Sequence, residues 1–379
     1  MSLPTSKRCL FLAPLKPPDH PVPSGDRMIA RQFMALLEKT GYPATLASRL
    51  RTWSKTGENL NALSTQAETE AENCIARENT EERHKAAFVF TYHNYYKAPD
   101  ILGPQIARRL GIPYILAESS RAPKRATGSH AQGHRLAEMA SDAAALILTP
   151  TLHDQEMLDA LKPANQRVVR LPPFLDSAPW ELVSASHPRI HSRDEAAPIQ
   201  LLTVAMMRDG YKTESYFKLA DLLDMLPTEH WTLDIVGDGD NRSTIENRFE
   251  KFGARIRFHG AVNDQRMLGQ LYAQADIFVW PAISEPIGMV FLEAQAHGLP
   301  CIAFGYRGVP DVIQNGVTGV VVAEGDDALF ATALTELIRE APRRDAMSAA
   351  ARSFIRHERS MEEAATVLRE ALAAVMPSG

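Results

Sequence analysis

At 379 residues the chain is long enough for two domains of ordinary size. Its 45% apolar and 23% charged content is that of a soluble folded protein, and no run of about 18 apolar residues offers a membrane span. Three widely spaced cysteines, Cys9, Cys74 and Cys301, argue against a disulfide framework or a zinc site. With no apolar segment of signal-peptide type near Lys7-Arg8, they point to a reducing, cytoplasmic setting. The net charge of −5 is unevenly spread: residues 1–172 hold 22 Lys and Arg against 17 Asp and Glu, whereas 173–379 hold 19 against 29. A first half at +5 suits an anionic partner or a peripheral position at the inner face of an anionic membrane; simple drift of surface charge explains it equally well.

In chain order, the pattern predicts strands at 9–13, 44–47, 87–91, 113–118, 145–149 and 168–171. Between them it predicts helices at 26–40, 60–83, 99–110, 131–141 and 151–161. The segment 60–83 is highly charged and weakly periodic, as a surface helix or a mobile insertion would be. Residues 173–198, rich in proline and without periodicity, read as a linker. Strands then resume at 200–204, 231–236, 255–259, 276–280, 300–304 and 319–322. Helices are expected at 213–226, 243–252, 265–274, 288–297, 308–314 and 327–340, with 344–355 and 360–375 closing the chain. This alternation predicts an α/β fold of two doubly wound, Rossmann-like domains, 1–172 and 199–359, with a cleft between them.

The most informative segment is Ser284-Glu-Pro-Ile-Gly-Met-Val-Phe-Leu-Glu-Ala-Gln-Ala-His-Gly298. Pro286 suits the first turn of a helix. Gly288 lets backbone amides approach a ligand, and the amides of Ile287, Gly288, Met289 and Val290 would then face an anion along the helix dipole. Glu285 precedes this helix and Glu293 lies about a turn and a half further on. Carboxylates flanking an anion site suit hydroxyl groups. Phosphate between polyols describes a nucleotide-sugar. An ordinary helix start with a surface glutamate fits the isolated segment too.

Glu285 to Pro300 resembles the Glu-x7-Glu signature of family 4 retaining glycosyltransferases, whose GT-B fold sets two Rossmann-like domains around a cleft. The likeness continues through Gly305-Tyr-Arg-Gly308-Val-Pro310 and Asn315-Gly316-Val-Thr-Gly319. Comparable turns occur at Gly237-Asp-Gly239 and Phe258-His-Gly260, with Val262 just beyond on the nucleotide side. The resemblance is specific over about 200–340 and only architectural in the first half. It implies that Arg208 and Lys212 hold the donor diphosphate, although their spacing is one residue short of the usual pattern and Met206-Met207 replaces the usual approach. It implies further that Glu285 faces the sugar, Glu293 the ribose, and His93 the donor sugar. Gly25, after the proline-rich loop 14–24, stands where the family has a glycine-rich turn. The terminal helix 360–379 would cross back onto the first domain.

The implied reaction moves a sugar from a nucleoside diphosphate-sugar to a hydroxyl of a glycan or lipid-linked acceptor, with retention and without a cofactor or a metal. Asp238-Gly239-Asp240 formally reads as a metal-binding pattern, one common by chance. Arg49, Arg51, Lys55, Arg121, Lys124 and Arg125 are candidates for an anionic acceptor or a membrane surface. A GT-B-fold epimerase or phosphorylase and a non-catalytic nucleotide-sugar-binding protein stay open. No nucleic-acid partner is indicated, and a nicotinamide dehydrogenase is disfavoured because no Gly-x-Gly-x-x-Gly follows an opening strand.

Overall fold

The computed structural model describes residues 8–22, 24–80, 85–176, 197–227 and 230–376. The chain divides into two compact units, residues 1–172 with 362–379, and residues 173–361. Most of the proline-rich linker, 177–196, lies outside the described residues.

The first unit runs β1 (Arg8–Leu12), α1 (Gly25–Lys39), β2 (Ala44–Leu46), α2 (Leu60–Thr80), β3 (Ala86–Asn94), α3 (Gly103–Leu110), β4 (Tyr114–Ser119), α4 (Ala131–Ala143), β5 (Leu146–Thr149), α5 (Leu152–Leu161) and β6 (Arg167–Arg170). Its strands form one parallel sheet in the order β2-β1-β3-β4-β5-β6. The second unit runs β7 (Ile199–Val204), α6 (Tyr211–Asp224), β8 (Trp231–Val236), α7 (Arg242–Phe249), β9 (Ile256–Gly260), α8 (Gln265–Gln274), β10 (Ile277–Val279), α9 (Met289–Ala296), β11 (Cys301–Phe304), α10 (Val309–Val312), β12 (Gly319–Val322), α11 (Asp327–Arg339) and α12 (Ala341–Glu358). Its parallel order is β12-β11-β10-β7-β8-β9. A last helix, α13 (Met361–Ala373), starts at the unit boundary and groups with the first unit. There Lys39 pairs with Glu362 at 2.7 Å.

Both sheets are parallel, and their central strands are short apolar runs buried on both faces, the pattern that helices on each side require. Leu10, Phe11, Phe88, Phe90, Ile115, Leu116, Ile147 and Leu148 are all buried in the first unit. Phe11 stacks on Phe90 with centroids 5.8 Å apart, and Phe33 of α1 closes over Phe90 and Tyr92. In the second unit Tyr216 meets Trp280 edge-on at 4.9 Å beneath the carboxyl end of β10. The charged segment 60–83 resolves into α2, ending at Thr80. It buries Ala67, Ala71, Cys74, Ile75 and Glu78, a narrow stripe at helical spacing. Small residues fill most of that stripe, which is why its periodicity is faint in the sequence. All three cysteines are buried thiols.

One buried carboxylate organises the centre of the first sheet. Asp100 accepts hydrogen bonds from Thr91 Oγ1 at 2.6 Å and Tyr114 Oη at 2.7 Å, and from the amides of Leu102 and Gly103 at 3.0 and 2.9 Å. It joins β3 to β4 and opens α3, whose capping residue Leu102 has no side chain able to cap it. Asp100→Ala strands two hydroxyls and two amides in a site 2% exposed. The expected loss is about 3 kcal/mol from the first unit's unfolding free energy, read as an earlier thermal transition.

Candidate functional site

In a doubly wound sheet a ligand crevice opens beyond the carboxyl ends of the strands, where the strand order reverses. That point lies between β1 and β3 in the first unit and between β7 and β10 in the second. Each unit sets an oppositely charged pair there. In the second unit Lys212, in the first turn of α6, pairs with Glu285, which follows β10. In the first, Asp26 in the opening turn of α1 lies 3.5 Å from Nδ1 of His93 near the end of β3.

In the second unit, Lys212 Nζ also lies 5.5 Å over the ring of buried Trp280. Four residues earlier, Arg208 is exposed in the loop after β7, and no acidic side chain among the described residues pairs with it. Its carbonyl accepts from Thr213 Oγ1 at 2.8 Å, which ties the loop to α6. Met207, one of the two methionines that depart from the family pattern, is fully buried and anchors this loop in the core. Glu285 and Lys212 therefore meet despite the shortened spacing.

The helix after Glu285 begins later than Pro286 suggests. Gly288, at φ 82° and ψ 52°, is the residue before its first turn, so α9 starts at Met289 and exposed Pro286 lies outside it. A left-handed residue cannot continue a right-handed helix backwards, and a Cβ at position 288 would collide with the Phe291 ring. Among the described residues, no carbonyl or side chain accepts from the amides of Ile287, Gly288, Met289 or Val290. These four donors sit beside Glu285, whose Cγ lies near Gly288. The glycine-rich turn after β11 supports the same loop, because Gly308 packs directly on the Pro286 carbonyl.

Glu293 is not a surface glutamate. It is 7% exposed and accepts from Tyr272 Oη at 3.0 Å. Tyr272 in turn stacks on His297 with centroids 5.1 Å apart, and His297 Nδ1 lies 2.9 Å from the Glu293 carbonyl. Burial pushes the Glu293 carboxyl up to about 7, against the stabilising tyrosine hydroxyl. Val262 is partly buried against the same core. Asp238 is engaged locally: it accepts from the Gly239 amide at 2.8 Å and pairs with Arg242 at 3.2 Å. Among the described residues there is no group of three or more His, Cys, Asp or Glu that could hold a metal.

In the first unit His93 lies inside β3 rather than after a strand ending at 91. The ladder to β4 carries on through Tyr92↔Ala117 and Asn94↔Ser119, leaving His93 between them at φ 68°. Gly25 is not a turn glycine. It is the first residue of α1, capped by Ser24, with open space where a side chain would stand. The residue the sequence reading missed is Asp26. Burial opposes a charge on His93, but Asp26 and Glu118 outweigh it and raise its pKa. Glu118, at the end of β4, is pushed up to about 7 by burial, with the His93 charge working the other way. Its neighbour Tyr92 is buried beside it.

Strain marks the same places. The described non-glycine residues with positive φ are His93, Glu118, Ala282, Ser284 and Arg307, at 42–68°. All five stand at or just beyond the carboxyl ends of β3, β4, β10 and β11. Such conformations cost about 1–3 kcal/mol each and persist where the surroundings over-determine them.

Residues 191–354 match the family model described as Glycosyl transferases group 1. The chain is similar to the sulfoquinovosyl transferase SQD2 of Arabidopsis thaliana, at 32% identity over 44% of this chain and 33% of that protein. It is similar at 37% to a GDP-mannose-dependent monoacylated alpha-(1-6)-phosphatidylinositol monomannoside mannosyltransferase of Corynebacterium glutamicum, over 34% of this chain and 35% of that one. The matched stretch thus spans about a third of the length of these relatives. The crystal structure of Anabaena Alr3699/HepE in complex with UDP is similar in fold, with a TM-score of 0.71 and 16% identity over 97% of this chain and 100% of that one. The fold is GT-B, with two Rossmann-like domains.

The buried Glu293 makes a stability prediction. Folding raises its pKa from 4.5 to about 7, so between those values the native state holds a proton that the unfolded chain has released. The second unit therefore loses stability as pH rises through this window. Glu293→Gln keeps a hydrogen-bond acceptor for Tyr272 and removes the buried charge. At pH 8 it should stabilise the second unit by roughly 2–3 kcal/mol, and at pH 5 by much less, in thermal unfolding followed at both pH values.

Proposed function

We propose that this protein is a metal-independent, retaining glycosyltransferase of the Glu-x7-Glu type, taking its sugar from a nucleoside diphosphate-sugar. The observation that carries this reading is the second unit's switch point. There Lys212 pairs with Glu285, four unpartnered amides follow it, and Arg208 stands in the loop after β7, within the stretch that matches group 1 glycosyl transferases.

In this reading the diphosphate lies on the amides of residues 287–290, with Arg208 and Lys212 neutralising the charge that develops as it leaves. Stabilising that developing charge lowers the barrier rather than only tightening binding. Lys212 is already paired with Glu285 in the free protein. Binding then replaces one lysine partner with another, and Glu285 turns to the sugar hydroxyls and the positive charge growing at the anomeric carbon. Glu293 takes the ribose diol through its carboxylate, which must ionise to accept two hydroxyl hydrogen bonds. The first unit's His93, Asp26 and Glu118 receive the acceptor hydroxyl. Retention is taken from the family resemblance, and the chain's similarity to a phosphatidylinositol monomannoside mannosyltransferase supports a hydroxyl acceptor.

Calorimetric titration with UDP-, ADP- and GDP-glucose tests the donor assignment. The true donor should bind Arg208→Ala and Glu293→Ala at least tenfold more weakly than the parent. If both variants bind as the parent does, the site is misassigned. With the carboxyl near 7, donor affinity should also fall about tenfold from pH 8 to pH 6, and Glu293→Gln should flatten that dependence. Glu285→Gln should lower kcat by about 100-fold or more with a smaller change in KM.

A further inference from the structure

Three loops of the first unit meet over the end of β3, and their contacts are fixed by close packing. The Ser54 amide donates to the Lys97 carbonyl at 2.7 Å, and Thr52 Oγ1 donates to the Pro99 carbonyl at 2.7 Å. Gly133 of α4 presses on the Tyr96 carbonyl, and Gly57 on the Ser129 carbonyl; a Cβ on either would collide with backbone. What these loops display is a ribbon of rings. His93 lies 4.8 Å from Tyr95, Tyr95 lies 5.6 Å from Tyr96, and Tyr96 lies 5.0 Å from His130. Trp53, 40% exposed, stands beside the Tyr95 hydroxyl.

Cations frame this ribbon. Lys97 Nζ lies 5.8 Å, and the Arg125 guanidinium 5.3 Å, from the centre of the Tyr96 ring. Lys124 and Lys55 are exposed on two of the same loops. Among the described residues none of these four pairs with an acidic side chain. Many cations elsewhere on the surface do: Arg49 with Asp19, Lys162 with Asp159, Arg242 with Glu246. Even nearby Arg121 is tied to Glu138 and Asp142. The local field is felt by His130, whose pKa is lowered by partial burial and by repulsion from Lys97 and Arg125.

We infer that the acceptor of this enzyme is anionic: a sugar or polyol carrying a phosphate or carboxylate, with its ring stacked on Tyr95 and Tyr96 and its charge held by Lys97 and Arg125. The faces of sugar rings pack on aromatic side chains, while two cations beside one aromatic ring, neither paired with a carboxylate among the described residues, suit a compact anion. The ribbon leads to His93, with Asp26 and Glu118 beside it, so a hydroxyl of the same molecule lies near the acid and base groups of the first unit. This inference rests on the glycosyl-transfer reading for the word acceptor; the anion site itself does not.

The test uses the full chain. Glucose 6-phosphate, glucuronate and glycerol 3-phosphate are titrated calorimetrically, with glucose and glycerol as neutral parents. At least one anion should bind tenfold or more tightly than its parent, weaken with added salt, and bind the Lys97→Ala/Arg125→Ala variant at least tenfold more weakly. Tyr96→Phe should bind nearly as the parent does and Tyr96→Ala much more weakly. Equal binding of anion and neutral parent overturns the inference, as does a double variant that binds like the parent. Sedimentation with 1:3 phosphatidylglycerol:phosphatidylcholine vesicles separates the sources. Vesicle binding lost in the double variant, without affinity for the small anions, identifies a lipid headgroup as the anion. Vesicle binding unchanged in that variant, again without small-anion affinity, overturns the inference. UDP-, ADP- and GDP-glucose binding is measured on the same samples. Its absence alongside intact anion binding sinks the glycosyl-transfer reading and leaves the anion site standing.

Discussion

The constraint on which the rest of this molecule depends is the reversal of winding in each parallel sheet. A parallel sheet cannot reverse its strand order without parting two neighbouring crossovers, and the gap opens at the strands' carboxyl ends. Both units do this once, beside their first strand: the first on passing from β2 to β3, the second from β9 to β10. Lys212 and Glu285 come from the two sides of one gap, and Asp26 and His93 from the two sides of the other. Neither pair is near in sequence. Each is created by strand order alone.

Around these gaps the backbone departs from its comfortable conformations. The positive-φ residues lie in the turns after β10 and β11, beside amides 287–290, which find no acceptor among the described residues. The buried sheets beneath, with Trp280, Phe278 and Phe304 close to fully buried, hold these turns in place. Electrostatics follows the same plan. The second unit keeps one carboxylate beside a lysine and hides another beneath a tyrosine, so two glutamates of one short segment sit in different environments, and burial raises Glu293 to about 7. Asp26 and Glu118 diverge likewise in the first unit: despite its burial, contact with His93 lowers Asp26, while burial raises Glu118. Environments that push paired acids apart are how one protein obtains both a proton donor and a fixed charge.

Much of this was legible in the amino-acid sequence, for a physical reason. Strands buried on both faces are short, largely apolar runs, so Trp231–Val236 and Cys301–Phe304 can be read directly, as can the amphipathic helix Gln265–Gln274. The polar end of β3 cannot: Tyr92, His93 and Asn94 look like a loop, and only the ladder to β4 makes them strand. Pro286 looks like a helix start until Gly288 takes a left-handed conformation. The segment that holds Glu285, Gly288 and Glu293 stood out through its local pattern. Asp26, Tyr272 and Lys97 were not, nor was the place of Arg125 beside Tyr96, because their significance lies in what distant segments bring beside them. Glu293 was noticed for its spacing, but its altered acidity comes from burial, which no pattern around residue 293 announces.

The path of the chain has a consequence for how the protein is made. The last helix groups with the first unit and buries Ala365, Leu368 and Leu372. The peptide enters the second unit at Pro173 and leaves it at Met361, and the two crossings lie side by side where the Leu175 amide bonds the Arg359 carbonyl at 2.8 Å. A ribosome therefore releases all of the second unit before the first has its full complement of core residues. The unit translated first is the one completed last, and during synthesis it waits without the buried side chains of Ala365, Leu368 and Leu372.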